Sequence, residues 1–250
     1  MKKCFLSAVL LGIAAFVITM AGCKKADSGY IIATDTTFAP FEFQQDQKYV
    51  GIDVDLIAAI AEEQKIEYTL KPLGFNAAVT ALESGQASAV IAGMSITAER
   101  KLKYDFSAPY YDSGVVMAVK ADNTDINSYA DLKGKRVAVK IGTEGKTFAE
   151  SIMDQYEFTI AAFDESPFMY EEVKTGNSVA CFEDYPVMGY GIAQGNGLKM
   201  VTDMEKGSSY GFAVLKGKNT ELLQKFNAGL ENIKANGKYQ EIIDRYIKTN

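Results

Sequence analysis

The chain reads as an α/β protein of two similar lobes, on three observations. Strand-like and helix-like segments alternate along its length. The same run of elements occurs twice. The 250 residues are 48% hydrophobic and 23% charged and include 14 Tyr and 14 Phe, enough apolar matter for a substantial core.

Tyr30 to Thr34 is a short apolar strand. Asp53 to Glu63 has apolar spacing near 3.6 and acidic first-turn residues, so it predicts a helix with Asp53 as its N-cap and Leu56 and Ile57 packed inward. Ile66 to Leu70 returns as a strand, Asn76 to Glu83 is a helix closing on Ser84-Gly85, and Ala87 to Ala92 is a strand. The pattern then recurs: strand Arg136 to Lys140, helix Thr143 to Gln155, strand Phe158 to Ala162, helix Glu165 to Lys174 closing on Thr175-Gly176, strand Ser178 to Phe182. Each closing strand opens into a polar loop, Gly93-Met94-Ser95 in one half and Glu183-Asp184 in the other. After Lys199 to Thr202, one more strand covers Tyr210 to Leu215, and Thr220 to Ala235 and Lys238 to Lys248 are helices separated by Asn236-Gly237. In open α/β sheets ligands bind beyond the carboxyl ends of the strands, which here carry Asp35, residues 93–95, residues 140–143, and Glu183 and Asp184. Two such lobes facing each other make a cleft.

Composition removes several classes of function. His is absent, which takes away the usual general base of Ser and Cys hydrolases and the commonest zinc ligand. The net charge is -6 with no Lys/Arg-rich block, so nucleic-acid binding has no electrostatic footprint. No cofactor or metal is expected. Residues 1–22 read as an export signal, with Lys2 and Lys3 ahead of an apolar stretch from Phe5 to Met20 that falls short of the ~20 residues a spanning helix needs. The following Met20-Ala21-Gly22-Cys23 resembles a bacterial lipobox, which implies lipidation of Cys23, a short tether at 23–28 and anchoring at the outer face of the cytoplasmic membrane or in the periplasm. With Cys4 in the leader and Cys23 on the lipid, Cys181 is the one remaining thiol and reads as a small buried hydrophobe.

Longer strings carry a family resemblance. Ala33-Thr34-Asp35-Thr36-Thr37-Phe38-Ala39-Pro40-Phe41-Glu42-Phe43, Gly51-Ile52-Asp53-Val54-Asp55-Leu56 and Ala92-Gly93-Met94-Ser95-Ile96-Thr97-Ala98-Glu99-Arg100 occur in that order. Asp105-Phe106-Ser107-Ala108-Pro109-Tyr110-Tyr111, Asp131-Leu132-Lys133-Gly134-Lys135, Glu183-Asp184-Tyr185-Pro186 and Tyr210-Gly211 follow. Together they resemble the polar amino-acid branch of bacterial extracellular solute-binding proteins of ABC importers, most closely the glutamine-binding members. The resemblance implies a two-lobed periplasmic-binding-protein fold (type II, Venus-flytrap) with two hinge crossovers. Lobe 1 would be 29–109 and 211–250, the hinges 110–114 and 206–210, and lobe 2 115–205. Glycines at 114, 207 and 211 suit segments that absorb a rotation.

The resemblance also implies a site, and the residue chemistry fits it. A free amino acid is a zwitterion. Arg100 offers its planar fork to the α-carboxylate, aided by the Ser95 N–H and hydroxyl, and Asp184 holds the α-ammonium with the Gly93 carbonyl, next to Ala92. Asp184 also stands where it can N-cap the helix that starts near Tyr185-Pro186. Phe38 and Phe75 match the aromatics that sandwich the ligand stem. Asp35 and Lys140, with Thr143 beside them, match the positions that contact a side-chain amide, which needs one acceptor and one donor.

The sequence departs from the glutamine-binding pattern at Glu183, Glu144 and Ser95. If Lys140 and Glu183 pair, Asp35 could equally accept a cationic side chain, so glutamine is favoured with arginine, lysine or another polar amino acid open. The expected protein is a non-enzymatic monomer that closes on one amino acid and serves a permease and an ATPase on separate chains. The competing reading is an enzyme, since the same fold resembles cyclohexadienyl and arogenate dehydratases and Glu183 could imitate their acid.

Overall fold

The computed structural model describes residues 29–247, so the export signal, Cys23 and the tether lie outside the described residues. The elements begin with β1 (Tyr30–Thr34), followed by β2 (Thr37–Phe38), β3 (Glu42–Gln45) and β4 (Lys48–Val50), three short strands that form a small antiparallel sheet. Next come α1 (Ile52–Gln64), β5 (Tyr68–Pro72), α2 (Phe75–Glu83), β6 (Ala89–Val90), the single turn α3 (Arg100–Lys103) and β7 (Tyr104–Phe106). The middle of the chain supplies β8 (Tyr111–Lys120), a 3-10 turn at Tyr129–Leu132, β9 (Arg136–Lys140), α4 (Glu144–Tyr156) and β10 (Thr159–Phe163). It continues with α5 (Ser166–Lys174), β11 (Ala180–Asp184), α6 (Tyr185–Ala193), β12 (Leu198–Met200) and β13 (Glu205–Tyr210). The last elements are β14 (Ala213–Leu215), α7 (Thr220–Ala235) and α8 (Lys238–Tyr246).

Two large mixed sheets hold most of these strands, in the orders β5-β1-β6-β14-β7 and β10-β9-β11-β8-β12, with β13 paired to β8. The repeat in the sequence is a repeat in topology. In each sheet the first strand of the unit lies between the second and third, all parallel, and a strand from elsewhere in the chain joins the third antiparallel: β14 on β6, β8 on β11. Parallel strands covered on both faces need continuous apolar sequence, which Ile32-Ala33 and Val137-Ala138-Val139 supply, all fully buried.

Helices cover both faces. Against one face of the first sheet, Leu56, Ile57 and Ile60 of α1 pack with Leu222, Phe226 and Leu230 of α7, and Phe212 stacks on Phe226 at 4.2 Å. Each such buried side chain contributes ~1.5–3 kcal/mol of apolar burial. In the second sheet Phe148 of α4 meets Phe182 edge-on at 5.4 Å, and Met169, Val173 and Met188 cover the opposite face together with Cys181. Burial pushes the Cys181 thiol well up from its ordinary range, so it stays a neutral packing group. Among the described residues no helix is long and apolar enough to cross a membrane.

The sequence reading matches the helices it named within a residue or two but errs among the strands: β2, β3, β4, β7 and β13 and the turn α3 went unpredicted, and β5 and β11 lie two residues further on than expected. Ala87 to Ala92 forms a ladder only at Ala89–Val90, because the chain turns at Gly93 into the loop that ends the sheet. Tyr210 to Leu215 is not one strand: Tyr210 ends β13, and Gly211 and Phe212 carry the chain from the second sheet back to β14 in the first. β8 went unpredicted. It lies in the stretch between the two repeats and pairs antiparallel with β11, β12 and β13. The expected hinges at 110–114 and 206–210 are paired with each other, Tyr111 opposite Tyr210 and Asp112 opposite Ser209, with a register shift between Ser208 and Glu205. Gly114 is there for close approach, since a Cβ would meet the Glu205 carbonyl oxygen at 2.7 Å.

Asp53 also departs from its expected role. The N-cap of α1 is Gly51, whose φ of +133 suits glycine, and Asp53 sits inside the first turn, fully buried. Its side chain is drawn inward by the Gly93 N–H and the Tyr110 hydroxyl, which a side chain at the cap position would not reach.

Candidate functional site

The carboxyl ends of the two sheets face each other, and the predicted site residues gather there. Asp35 directly follows β1. Its Oδ1 accepts from the Thr36 N–H at 2.6 Å and the Thr37 N–H at 3.4 Å, and its Oδ2 accepts from Lys140 Nζ, the last residue of β9. Lys140 therefore pairs with Asp35, not with Glu183. The ammonium also lies 5.1 Å from the ring centroid of Phe38, a buried cation–π contact. Thr143 supports this end as N-cap of α4, donating to the Lys140 carbonyl at 2.8 Å and accepting from the Lys146 N–H at 3.3 Å.

Gly93 follows Ala92, which is buried, and has φ +52. A Cβ here would stand 2.4 Å from Phe38 Cε1, so the loop and the ring approach only because the residue is glycine. The backbone of Ser95 bridges to Tyr210, and its carbonyl accepts from Arg100 Nη1 at 2.9 Å. Arg100 reaches across the cleft: Nη2 donates to the Gly142 carbonyl at 2.9 Å and lies 3.6 Å from Glu144, while the guanidinium sits 5.5 Å from the Phe75 ring centroid. A cavity of about 200 Å³ lined by Phe75, Arg100, Gly142 and Glu144 adjoins it.

At the end of β11, Glu183 and Asp184 have separate environments. Glu183 Oε2 accepts from the Ser166 hydroxyl at 3.0 Å and the Tyr170 hydroxyl at 2.8 Å, and Oε1 from the Asp184 N–H at 2.9 Å. Burial raises its carboxyl, against the nearby charge of Lys140 and these three donors. Asp184 occupies the N-cap position of α6 without a side-chain capping bond. Its Oδ2 instead accepts from the Tyr210 hydroxyl, which in turn accepts from Ser113 at 3.0 Å. Burial first and the Glu183 charge second push the Asp184 carboxyl up to about 7, partly offset by Tyr210 and Arg100.

Sequence reading missed Tyr210, Tyr110, Gly142 and the contact made by Glu144. The two tyrosines stood only as the ends of the expected hinges, and their rings also belong to the core: Tyr210 lies edge-on to Phe41 at 4.9 Å. What distinguishes them is the partner of each hydroxyl, and those partners come from distant parts of the chain. Glu144 stood out only as a departure from pattern, and its partner is the guanidinium of Arg100.

Residues 30–249 match the family model of bacterial extracellular solute-binding proteins, family 3. The chain belongs to that family. Among its relatives, the ABC transporter arginine-binding protein 1 of Escherichia coli (strain K12) is 32% identical over 254 residues, 99% of each chain. A solved ancestral arginine-binding protein bound to glutamine is 37% identical with a TM-score of 0.80, covering 88% of this chain and 98% of that one. Substrate binding domain 2 of Lactococcus lactis GlnP, solved in an open conformation, is 40% identical but reaches a TM-score of only 0.61, covering 88% of this chain and 96% of that one. This solute-binding protein has the type II periplasmic-binding-protein fold, with the β8–β13 pair as the double connection between its sheets.

Proposed function

We propose that this solute-binding protein captures one polar amino acid, glutamine above the others, by closing its two lobes around it and delivering it to separate permease and ATPase chains. The lobes are 29–109 with 211–250, and 115–205, moving about 110–114 and 206–210. The observation that carries the choice of ligand is the buried Lys140–Asp35 pair. It neutralises Asp35, the one distal carboxylate otherwise suited to a guanidinium or ammonium side chain, and leaves a donor and an acceptor as an amide requires. Glu183 is turned to its own lobe, where its carboxyl group accepts from Ser166, Tyr170 and the Asp184 N–H. Relatives named for arginine share the fold, and the ancestral protein bound to glutamine shows that a frame of this kind takes the amide as well.

Closure accounts for contacts that span the two sheets, Arg100 to Gly142 and Lys140 to Asp35, and fits the lower TM-score with an open relative of higher identity. Arg100 would exchange its carbonyl partners for the ligand carboxylate, and Asp184 with the Gly93 carbonyl would take the ammonium. The dehydratase reading is weaker, since the three donors on Glu183 favour its anion, which has no proton to give a leaving hydroxyl. A thermal-shift screen against the twenty amino acids, prephenate and arogenate tests the reading: glutamine should give the largest shift, and a larger one from either cyclohexadiene acid would overturn it. We place the protein on the membrane through a lipid on Cys23; Cys23→Ser should release it from the membrane fraction or block its processing, and a cleaved Ser variant still retained there would refute the anchor.

A further inference from the structure

Behind the cleft, two carboxyl groups are buried against each other. Glu42 opens β3 and Asp53 lies in the first turn of α1, and neither is exposed to solvent. The backbone clamps the two elements together: the Ile52 N–H donates to the Pro40 carbonyl and the Asp53 N–H to the Phe41 carbonyl, both at 2.9 Å. Gly51 sits so close to this seam that a Cβ would stand 2.2 Å from the Phe41 carbonyl oxygen. Asp53 Oδ2 accepts two hydrogen bonds, from the Gly93 N–H at 2.7 Å and the Tyr110 hydroxyl at 2.8 Å. Asp53 Oδ1 and both carboxyl oxygens of Glu42 have no donor among the described residues.

The backbone seam holds Glu42 and Asp53 side by side, fully buried, with three carboxyl oxygens that no donor reaches; as two carboxylates they would have no proton to satisfy any of these, so one of the two is an acid. Asp53 already receives two donors on its far oxygen, which favours its anion; Glu42 receives none. We infer that Glu42 is a positioning residue for ligand binding: a neutral carboxylic acid that donates its proton to Asp53 Oδ1 and so holds the carboxylate that fixes Gly93 and Tyr110. The inference rests on the reading that the Gly93 carbonyl takes the ligand ammonium.

The surrounding charges agree. Burial raises the Glu42 carboxyl well above its ordinary range, the charges of Asp53 and Asp35 raise it further, and Lys140 opposes them. Asp53 is raised only to about 6, since Gly93 and Tyr110 hold its anion. A single proton between the two side chains satisfies an oxygen on each, where an ionised Glu42 would leave a bare charge in the core.

Infrared spectroscopy at neutral pH tests the proton directly. The wild-type minus Glu42→Gln difference spectrum should contain a protonated-carboxyl stretching band that shifts in deuterium oxide, with any band from Asp184 cancelling; a difference spectrum without such a band would overturn the inference. Calorimetry with L-glutamine, or with L-arginine should the wild type prefer it, tests the positioning. Glu42→Gln keeps a donor and should bind within about threefold of wild type, while Glu42→Met loses it and should bind at least about tenfold more weakly with cooperative unfolding retained. Equal binding by Glu42→Met, or a tenfold loss in Glu42→Gln, would refute the role. If Glu42→Met fails to fold, the infrared band and Glu42→Gln still decide. A wild type that binds no amino acid would defeat the reading of the cleft and leave the infrared result to stand by itself.

Discussion

Lys140 and Asp35 stand 105 residues apart, at the ends of central strands in two different sheets, and meet as an ion pair in which each side chain is only 1% exposed. A pair so buried contributes little net stability when intact, yet leaves a costly charge when one partner is removed.

Lys140→Met should therefore expose the preference hidden by the pair. Asp35 would be left an unpaired buried anion, weakening glutamine by on the order of 2–4 kcal/mol and shifting selectivity toward arginine and lysine, whose side chains bring the missing cation. Calorimetry with the three ligands measures this. An unchanged ranking would show that the pair does not set selectivity.

Arg100→Ala and Asp184→Ala should each cost on the order of 2–5 kcal/mol of ligand binding, because each leaves a ligand charge buried without its counterpart. Arg100→Lys should recover only part of the loss. Its point charge cannot span the Ser95 and Gly142 carbonyls as the guanidinium does, nor present a fork to the ligand carboxylate. Wild-type affinity in the Ala variants would place the zwitterion elsewhere.

Asp184 makes binding depend on pH. Its carboxyl is raised from 3.8 to about 7, so in the unliganded protein it gains a proton as pH falls through neutrality and ceases to attract an ammonium. Affinity should rise with pH up to about 7 and level off above, by at most about tenfold per pH unit. The effect on stability has the opposite direction. Between those two values the folded chain keeps a proton that the unfolded chain has released, so the unliganded fold loses stability as pH rises, by on the order of 2–4 kcal/mol in all. Asp184→Asn should thus melt several degrees higher than wild type above neutrality, show little difference near pH 4, and bind poorly. Melting curves that do not diverge with pH would contradict this.

Gly93→Ala should impair both folding and binding. The residue has φ +52, and its new Cβ would press on the Phe38 ring, itself in contact with Lys140. Strain and overpacking together should cost about 1–3 kcal/mol of stability, read by thermal melting, with a further loss of affinity as the ring is displaced. A variant that melts and binds like wild type would show that the loop is looser than its geometry.

What was legible in the sequence is what local chemistry encodes. Arg136–Lys140 was read with the correct ends because an apolar run stops at a lysine, and α4 was placed within a residue of each end; the helix after Asn219 was legible from its period. The site residues were placed on the right strand ends for the same reason. Their pairings were not legible. Nothing near Lys140 in the chain says that its partner is Asp35 and not Glu183, since that choice depends on how one sheet faces the other. Tyr210 was hidden differently, as an aromatic whose ring belongs to the core and whose hydroxyl belongs to Asp184. Asp53 had the helix-start signature of a cap, and only the tertiary position of the Gly93 N–H turns it inward.

Strand β14 lies between β6 and β7, although in the chain it comes after the whole of the second sheet. Order in the chain and order in the sheet therefore differ. Every strand of the second sheet, from Tyr111 to Tyr210, has been made before Ala213 exists, whereas the first sheet has a gap at its middle until Leu215 has been added. Until then Val90 and Phe106 face an empty slot, with backbone donors and acceptors open to any other extended chain. The segment after Tyr210 is thus the keystone of the sheet that the segment before Tyr111 begins, and a chain cut short after Tyr210 would hold every strand of the second sheet and lack the one that joins β6 to β7.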